Sequence, residues 1–149
     1  MFSRLKCSVQ TYGWGKVGNS STVSQLASLN GDIDVDPKVP YAEYWFGTHH
    51  AGPSSIRAND GTADETLGAW LSRNKDALGL MCERSDCVID DNFCGLPYLA
   101  KVLSISKCLS IQAHPDKALA EKLHAERPEV YKDANHKPEM AVALTPFEA

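Results

Sequence analysis

Residues 108–117 read CLSIQAHPDK, and the fold turns on whether that run is a strand. Side chains alternate faces along a strand. Read that way, Leu109, Ile111 and Ala113 share one face, and Cys108, Ser110, Gln112 and His114 share the other. The first face is apolar and suits a core. The second is small and polar and ends in a carboxamide beside an imidazole, which suits the wall of a wet cavity. Pro115 and Asp116 close the strand and open a helix, with Leu119 and Leu123 four apart and Pro128 marking its end. Asp116 in the first turn suits the helix dipole.

The run KPEMAVALTP at 137–146 repeats the alternation. Met140, Val142 and Leu144 share a face; Glu139, Ala141 and Ala143 share the other. With the large apolar residues in the core, Glu139 points into the cavity beside small neighbours. Leu5–Gln10, Tyr41–Phe46 and Leu99–Leu103 also read as strands, as do Cys108–Ala113 and Met140–Leu144. Thr62 and Glu65 have capping-box spacing and predict a helix through Leu67, Trp70, Leu71 and Leu78, stopped by Gly79. Residues 20–24, 31–39, 52–55 and 59–62 read as polar or Gly/Pro-punctuated connections. The class is mainly β, with a few helices on the outside.

The gross numbers exclude several functions. The chain has 149 residues, enough for one domain with a core but not for two large ones. The net charge is −4, with no Lys/Arg cluster, so no nucleic-acid footprint is present. No apolar run approaches the ~20 residues that span a bilayer, and MFSRLKCSVQ has no signal-peptide shape. Five cysteines at irregular spacing read as thiols in a reducing compartment, so a cytoplasmic protein is expected. Cys82, Cys87 and Cys94 lack the spacing and the fourth ligand of a structural zinc site.

If the two alternating runs pair or face each other, Gln112, His114 and Glu139 converge. Two oxygens and one nitrogen suit a borderline divalent cation, and zinc is the commonest partner of His with carboxylate. On residue types alone a second arrangement stays open: Gln112 and His114 hydrogen-bonded inside a sheet, with Glu139 paired to Lys137 or solvated. A Q-x-H pair followed by a distant Glu is no general metal motif.

The stretches LSIQAHPDKALAEKLH and YKDANHKPEMAVALTPFEA resemble type I phosphomannose isomerase (mannose-6-phosphate isomerase). So do YGWGKVGNSSTVSQL at 12–26, PYAEYWFGTHHAGPSSI at 40–56 and LPYLAKVLSISKCLSIQAHPDK at 96–117, in the same order. The resemblance implies a zinc enzyme with a cupin-like, jelly-roll barrel. It implies interconversion of mannose 6-phosphate and fructose 6-phosphate, supplying mannose activation toward GDP-mannose. The family's zinc ligands fall on Gln112, His114 and Glu139, one ion per chain. Ser110, Lys101 and Trp14 resemble the family's substrate-binding residues, and Lys137 and Glu43 its catalytic ones, with the proton-transfer base not identified. Of the remaining histidines, His49 and His50 read as loop residues, His124 as exposed on the second helix, and His136 as a brace for the Glu139 segment.

Enzymes of that family are much longer. They carry an inserted helical domain and a C-terminal cupin region, which supply a fourth zinc ligand, a histidine, and an arginine. Residues 1–149 are therefore expected to form one incomplete N-terminal cupin-like domain, with that helical domain, that cupin region and that fourth ligand missing. The expected function is a truncated form of the isomerase. Its partners are sugar phosphates, with no nucleic acid and no membrane; a full-length form is expected to be a monomer and a truncated one to associate. The alternative is a non-catalytic truncated cupin that binds metal or sugar phosphate, or pairs with a full-length copy, without turnover. A storage- or binding-type cupin is a third reading, one with no need of phosphate donors.

Overall fold

Strand pairing in this chain is antiparallel throughout the described residues and comes in short pieces. The computed structural model describes residues 3–58, 64–83, 88–89 and 94–147. The chain divides into two units, Met1–Leu109 and Ser110–Ala149. The first holds, in order, β1 (Leu5–Lys6), β2 (Ser8–Gln10), β3 (Lys16–Val17), α1 (Thr22–Leu29), β4 (Pro40–Tyr41) and β5 (Glu43–Phe46). It continues with β6 (Ser55–Ile56), β7 (Glu65–Thr66), α2 (Leu67–Arg73), β8 (Val88–Ile89), β9 (Cys94–Gly95) and β10 (Ala100–Leu103). The second holds α3 (Lys117–Glu126). The sheets run β1-β6-β7, β10-β5-β2, β3-β4 and β8-β9. Among the described residues no helix is long and apolar enough to cross a membrane.

The sheet built on β5 organises the first unit. Tyr44 is in register with Val9 on one side and Val102 on the other, and these three face the core with Phe46. Val23 and Ala27 of α1, both fully buried, complete that core with Cys7 and Tyr41. The opposite face carries Glu43 and Trp45, in register with Gln10, Ser8 and Lys101. Tyr44 and Phe46 on one face and Glu43 and Trp45 on the other is what the period of two in EYWF requires.

Two of the expected strands are broken by one residue each. Leu5–Gln10 divides at Cys7, whose N–H leaves the ladder and donates to Asp32 Oδ2 at 3.0 Å. Tyr41–Phe46 divides at Ala42, whose N–H donates to Gln10 O at 2.8 Å while its carbonyl accepts from Ser104 N at 2.9 Å. Gly15 lies against that break, and a Cβ there would sit 2.7 Å from the Ala42 backbone, so only glycine fits. Gly18 has φ +54° and approaches the Pro37 carbonyl, which excludes a side chain twice over.

Asp32 ties these pieces together. Its carboxylate accepts from the Tyr44 hydroxyl, Arg57 Nη2, Asn30 Nδ2 (3.0 Å) and the Cys7 N–H (3.0 Å). The side chain is 1% exposed. Burial by itself would raise its pKa, but the hydrogen bonds from Tyr44, Asn30, Cys7 and Arg57 outweigh that and hold the carboxyl below the ordinary value. Burial and the adjoining carboxylate push the Tyr44 phenol well up. Burial also pushes the Cys7 thiol up.

Helix placement differs from the expectation in two ways. Residues 20–24 were expected to be a connection, yet Thr22–Leu29 is α1: Ser21 caps it, its hydroxyl accepting from the N–H groups of Val23 and Ser24. Ser21 is the cap and Ser24 part of the buried face, not a loop. The expected cap Thr62 lies outside the described residues; α2 begins at Leu67, and Thr66 Oγ1 accepts from Ala69 N at 3.3 Å. That helix stops at Arg73, and a 3-10 stretch over Lys75–Glu83 follows, interrupted at Gly79 with φ 55°.

In the second unit α3 forms where the sequence puts it, with Asp116 Oδ1 accepting from Leu119 N at 2.8 Å. The two flanking strands do not form. Cys108–Ala113 and Met140–Leu144 make no ladder among the described residues, and the expectation of two β-segments there is corrected. Their apolar sides are open: Ile111 is 103% exposed, Met140 91%, Val142 73% and Leu144 80%. A strand needs a neighbour to take its N–H and C=O groups, and an apolar face needs a second layer. The alternation is present, but nothing in the unit packs against it.

Candidate metal centre

The second unit gathers several polar side chains at the N-terminal end of α3. His114 precedes Pro115 and the capping Asp116, so the helix start anchors its backbone. Gln112 lies two residues earlier, and its Nε2 donates to Ser110 Oγ at 3.3 Å. Gln112 and Ser110 thus share a side of the chain, as the alternation predicts even without a ladder. Glu139 returns to this end, with Oε1 3.7 Å from His114 Nε2. A cleft of about 500 Å³ is lined by Gln112, His114, Tyr131, Asp133, Asn135 and Lys137, among others.

The donor set suits a divalent cation. Two ligands bound at about 2.0–2.2 Å to a tetrahedral zinc sit about 3.3–3.6 Å apart. The His114–Glu139 separation is close to that and longer than a hydrogen bond. The pair is open to solvent, with side chains 30% and 65% exposed. Among the described residues no group of three or more His, Cys, Asp or Glu that could hold a metal converges; Gln112 lines the cleft together with His114.

The first unit contains the other expected site residues. Glu43 is buried on β5, and its Oε2 accepts from Trp45 Nε1 at 2.5 Å and lies 3.2 Å from Lys101 Nζ. Lys101 Nζ also stands 5.0 Å from the Trp45 ring centroid. The carboxylate is therefore paired, as burial demands, and the ammonium is shared between a charge and an aromatic face. Trp14 stacks on Tyr12 at 5.9 Å, and its carbonyl accepts from Ser106 N and Oγ. Trp45, opposite Lys101 in the ladder, was not singled out from the sequence. The period-two spacing of Glu43 and Trp45 was the signal that could have found it. Tyr131 and Asn135 of the cleft were also missed, because no periodicity runs through residues 127–137.

His124 is not simply exposed on the helix: its Nδ1 lies 2.6 Å from the Tyr131 carbonyl oxygen. His49 lies in a turn, edge-on to Trp45 at 5.1 Å and stacked on His50 at 4.4 Å. Cys87 and the Cys82 side chain lie outside the described residues, and Cys94 is buried in β9.

Comparison with known proteins bears on this geometry. A family model described as phosphomannose isomerase type I, catalytic domain, matches residues 2–149. Mannose-6-phosphate isomerase 1 of Arabidopsis thaliana is 50% identical over 146 residues, covering 98% of this chain and 32% of that protein. The Homo sapiens mannose-6-phosphate isomerase is 49% identical over 146 residues, covering 97% of this chain and 33% of that protein. Among solved structures, a zinc-bound holo mannose 6-phosphate isomerase superposes with TM-score 0.65 at 29% identity, over 90% of this chain and 33% of that one. The chain thus spans about a third of the length of the relatives it matches.

Proposed function

The chain belongs to the type I phosphomannose isomerase family, and from that premise we propose that it serves the zinc-dependent interconversion of mannose 6-phosphate and fructose 6-phosphate. The supporting observation is the 3.7 Å approach of His114 Nε2 to Glu139 Oε1 beside the cleft that Gln112 and Lys137 line. In this reading Gln112 Oε1, His114 Nε2 and Glu139 hold one zinc ion. Zinc, when bound, polarises a carbonyl and stabilises the oxyanion beside it. Two neutral ligands and one carboxylate leave a residual positive charge, which favours an anionic substrate.

The chain's own residues do the rest. Ser110 accepts from Gln112 Nε2, which fixes the amide and leaves the serine O–H to donate to a ligand oxygen. Lys137 brings an ammonium to the cleft wall, suited to a phosphate or a developing enediolate. Glu43 is the carboxylate candidate for proton transfer; Trp45 and Lys101 occupy its Oε2 and orient it. Lys101 and Trp14 are the remaining substrate-binding candidates. The fold these residues serve is a cupin-type barrel, of which this chain contributes small antiparallel sheets. A cytoplasmic location and a role in GDP-mannose supply complete the reading.

The test is metal content and isomerase activity of the purified 149-residue chain with added zinc. About one zinc per chain, lost in Gln112→Ala with His114→Ala, supports the proposal. Zinc that survives that double substitution defeats the ligand set. A second reading is favoured by the exposure of Ile111, Met140, Val142 and Leu144: a non-catalytic form that binds metal or sugar phosphate, or pairs with a full-length copy, without turnover. Zinc bound without isomerisation selects it.

A further inference from the structure

We propose that His124 is a positioning residue for the metal cleft, acting through the backbone of the segment that forms the cleft's wall. This rests on the metal reading above and concerns the same cleft. A carbonyl oxygen only accepts, so the 2.6 Å contact from His124 Nδ1 to Tyr131 O requires a proton on Nδ1. The bond runs from the last turn of α3 across to the chain that returns from it. Arg127 secures the start of that return: its N–H donates to Leu123 O at 2.9 Å, and its carbonyl accepts from Val130 N at 3.0 Å and Tyr131 N at 2.9 Å. Further on, Asp133 Oδ1 accepts from Asn135 N at 2.9 Å, a local turn that directs the chain toward Lys137.

Residues 131–137 have no strand or helix to hold them. Their position over the cleft depends on these few bonds, and Tyr131, Asp133, Asn135 and Lys137 all line it. Glu139, the ligand that approaches His114, follows two residues later. The other end of the same helix anchors His114 through the Asp116 cap. α3 thus acts as a rigid spacer, with the His114 side of the cleft at its N-terminus and the Glu139 side tied to its last turn. His124 is the side chain that makes the second tie.

The experiment uses the 149-residue chain and three variants: His124→Ala, His124→Phe and His124→Asn. Asn can present an amide N–H near the position of Nδ1; Phe keeps the bulk without a donor. Amide hydrogen exchange over residues 130–137, without metal, reads the strap directly. Cobalt(II) titration, followed by its visible absorption, reads ligand geometry and affinity. The expected result is faster exchange at 130–137 and about fivefold weaker cobalt binding in the Ala and Phe variants, the equilibrium equivalent of one hydrogen bond. The Asn variant recovers both, together with the wild-type spectrum. Unchanged exchange and an unchanged cobalt isotherm in the Ala and Phe variants overturn the proposal. A wild-type chain that binds no cobalt is instead a failure of the metal reading, and it removes the inference with it.

Discussion

The two units of the chain carry similar alternation and reach opposite outcomes. In residues 3–109 the alternating run EYWF is paired on both sides, its tyrosine buried and its carboxylate matched. In residues 110–147 the runs SIQAH and EMAVAL alternate as cleanly, yet their large apolar residues stand in solvent. Periodicity states which side chains share a face. Burial needs a second surface, and that is not a property of the run itself.

Substitutions can break or sharpen this contrast. The largest effect is expected at Asp32, where four donors converge on one buried carboxylate. Asp32→Ala leaves the Tyr44 hydroxyl without its acceptor and Arg57 without its countercharge, held only by the Asn30 and Gly31 carbonyls, and should destabilise the first unit by about 3 kcal/mol or more in urea unfolding. A loss under about 1 kcal/mol would mean that the network does not organise that unit.

Acid should reach the same network. The Asp32 pKa lies below its ordinary value of 3.8, so the unfolded chain takes up that proton first as pH falls. The stabilisation is complete above that value and is lost as pH drops through it toward the lowered folded value. Unfolding midpoints measured between about pH 6 and pH 3 should fall at the acid end, and Asp32→Asn should flatten the decline.

Smaller effects belong to the second unit. Asp116→Ala removes the cap of α3 and should cost about 1 kcal/mol of helix stability, read as lost helical dichroism or faster amide exchange in residues 117–126. Val142→Ser, on the exposed face, should change stability by no more than about 0.5 kcal/mol. A cost of several times that would show the face to be covered in solution, and the contrast between the units would fail.

How legible each feature was follows from its range. α3 was visible in the sequence because its signals are local: Asp116 as cap, leucines four apart, Pro128 after the end. α1 was not, because the serines that read as a loop are a cap and a buried face whose partners lie elsewhere: Ser21 Oγ donates to Tyr41 O at 2.8 Å and Ser24 Oγ to Gly18 O at 2.7 Å. The break at Cys7 was invisible for the same reason, since Asp32, 25 residues away, captures its N–H. Of the candidate residues, the spacing of Ser110, Gln112 and His114 in the second unit was readable, and so, in the first, was the pairing demand of a buried Glu43. The tie from His124 to Tyr131 was not, because no repeat links a helix residue to an irregular return.

By itself the sequence determined family membership, the α3 helix and which residues of β5 share a face. These follow from residue type and from spacing within a few positions, where backbone geometry leaves few choices. Only the tertiary structure decided where strands break, which carboxylate is saturated by four donors, and which of two equally patterned regions buries its apolar side. Those outcomes depend on hydrogen-bond and packing partners brought in from distant parts of the chain, and no local pattern specifies them.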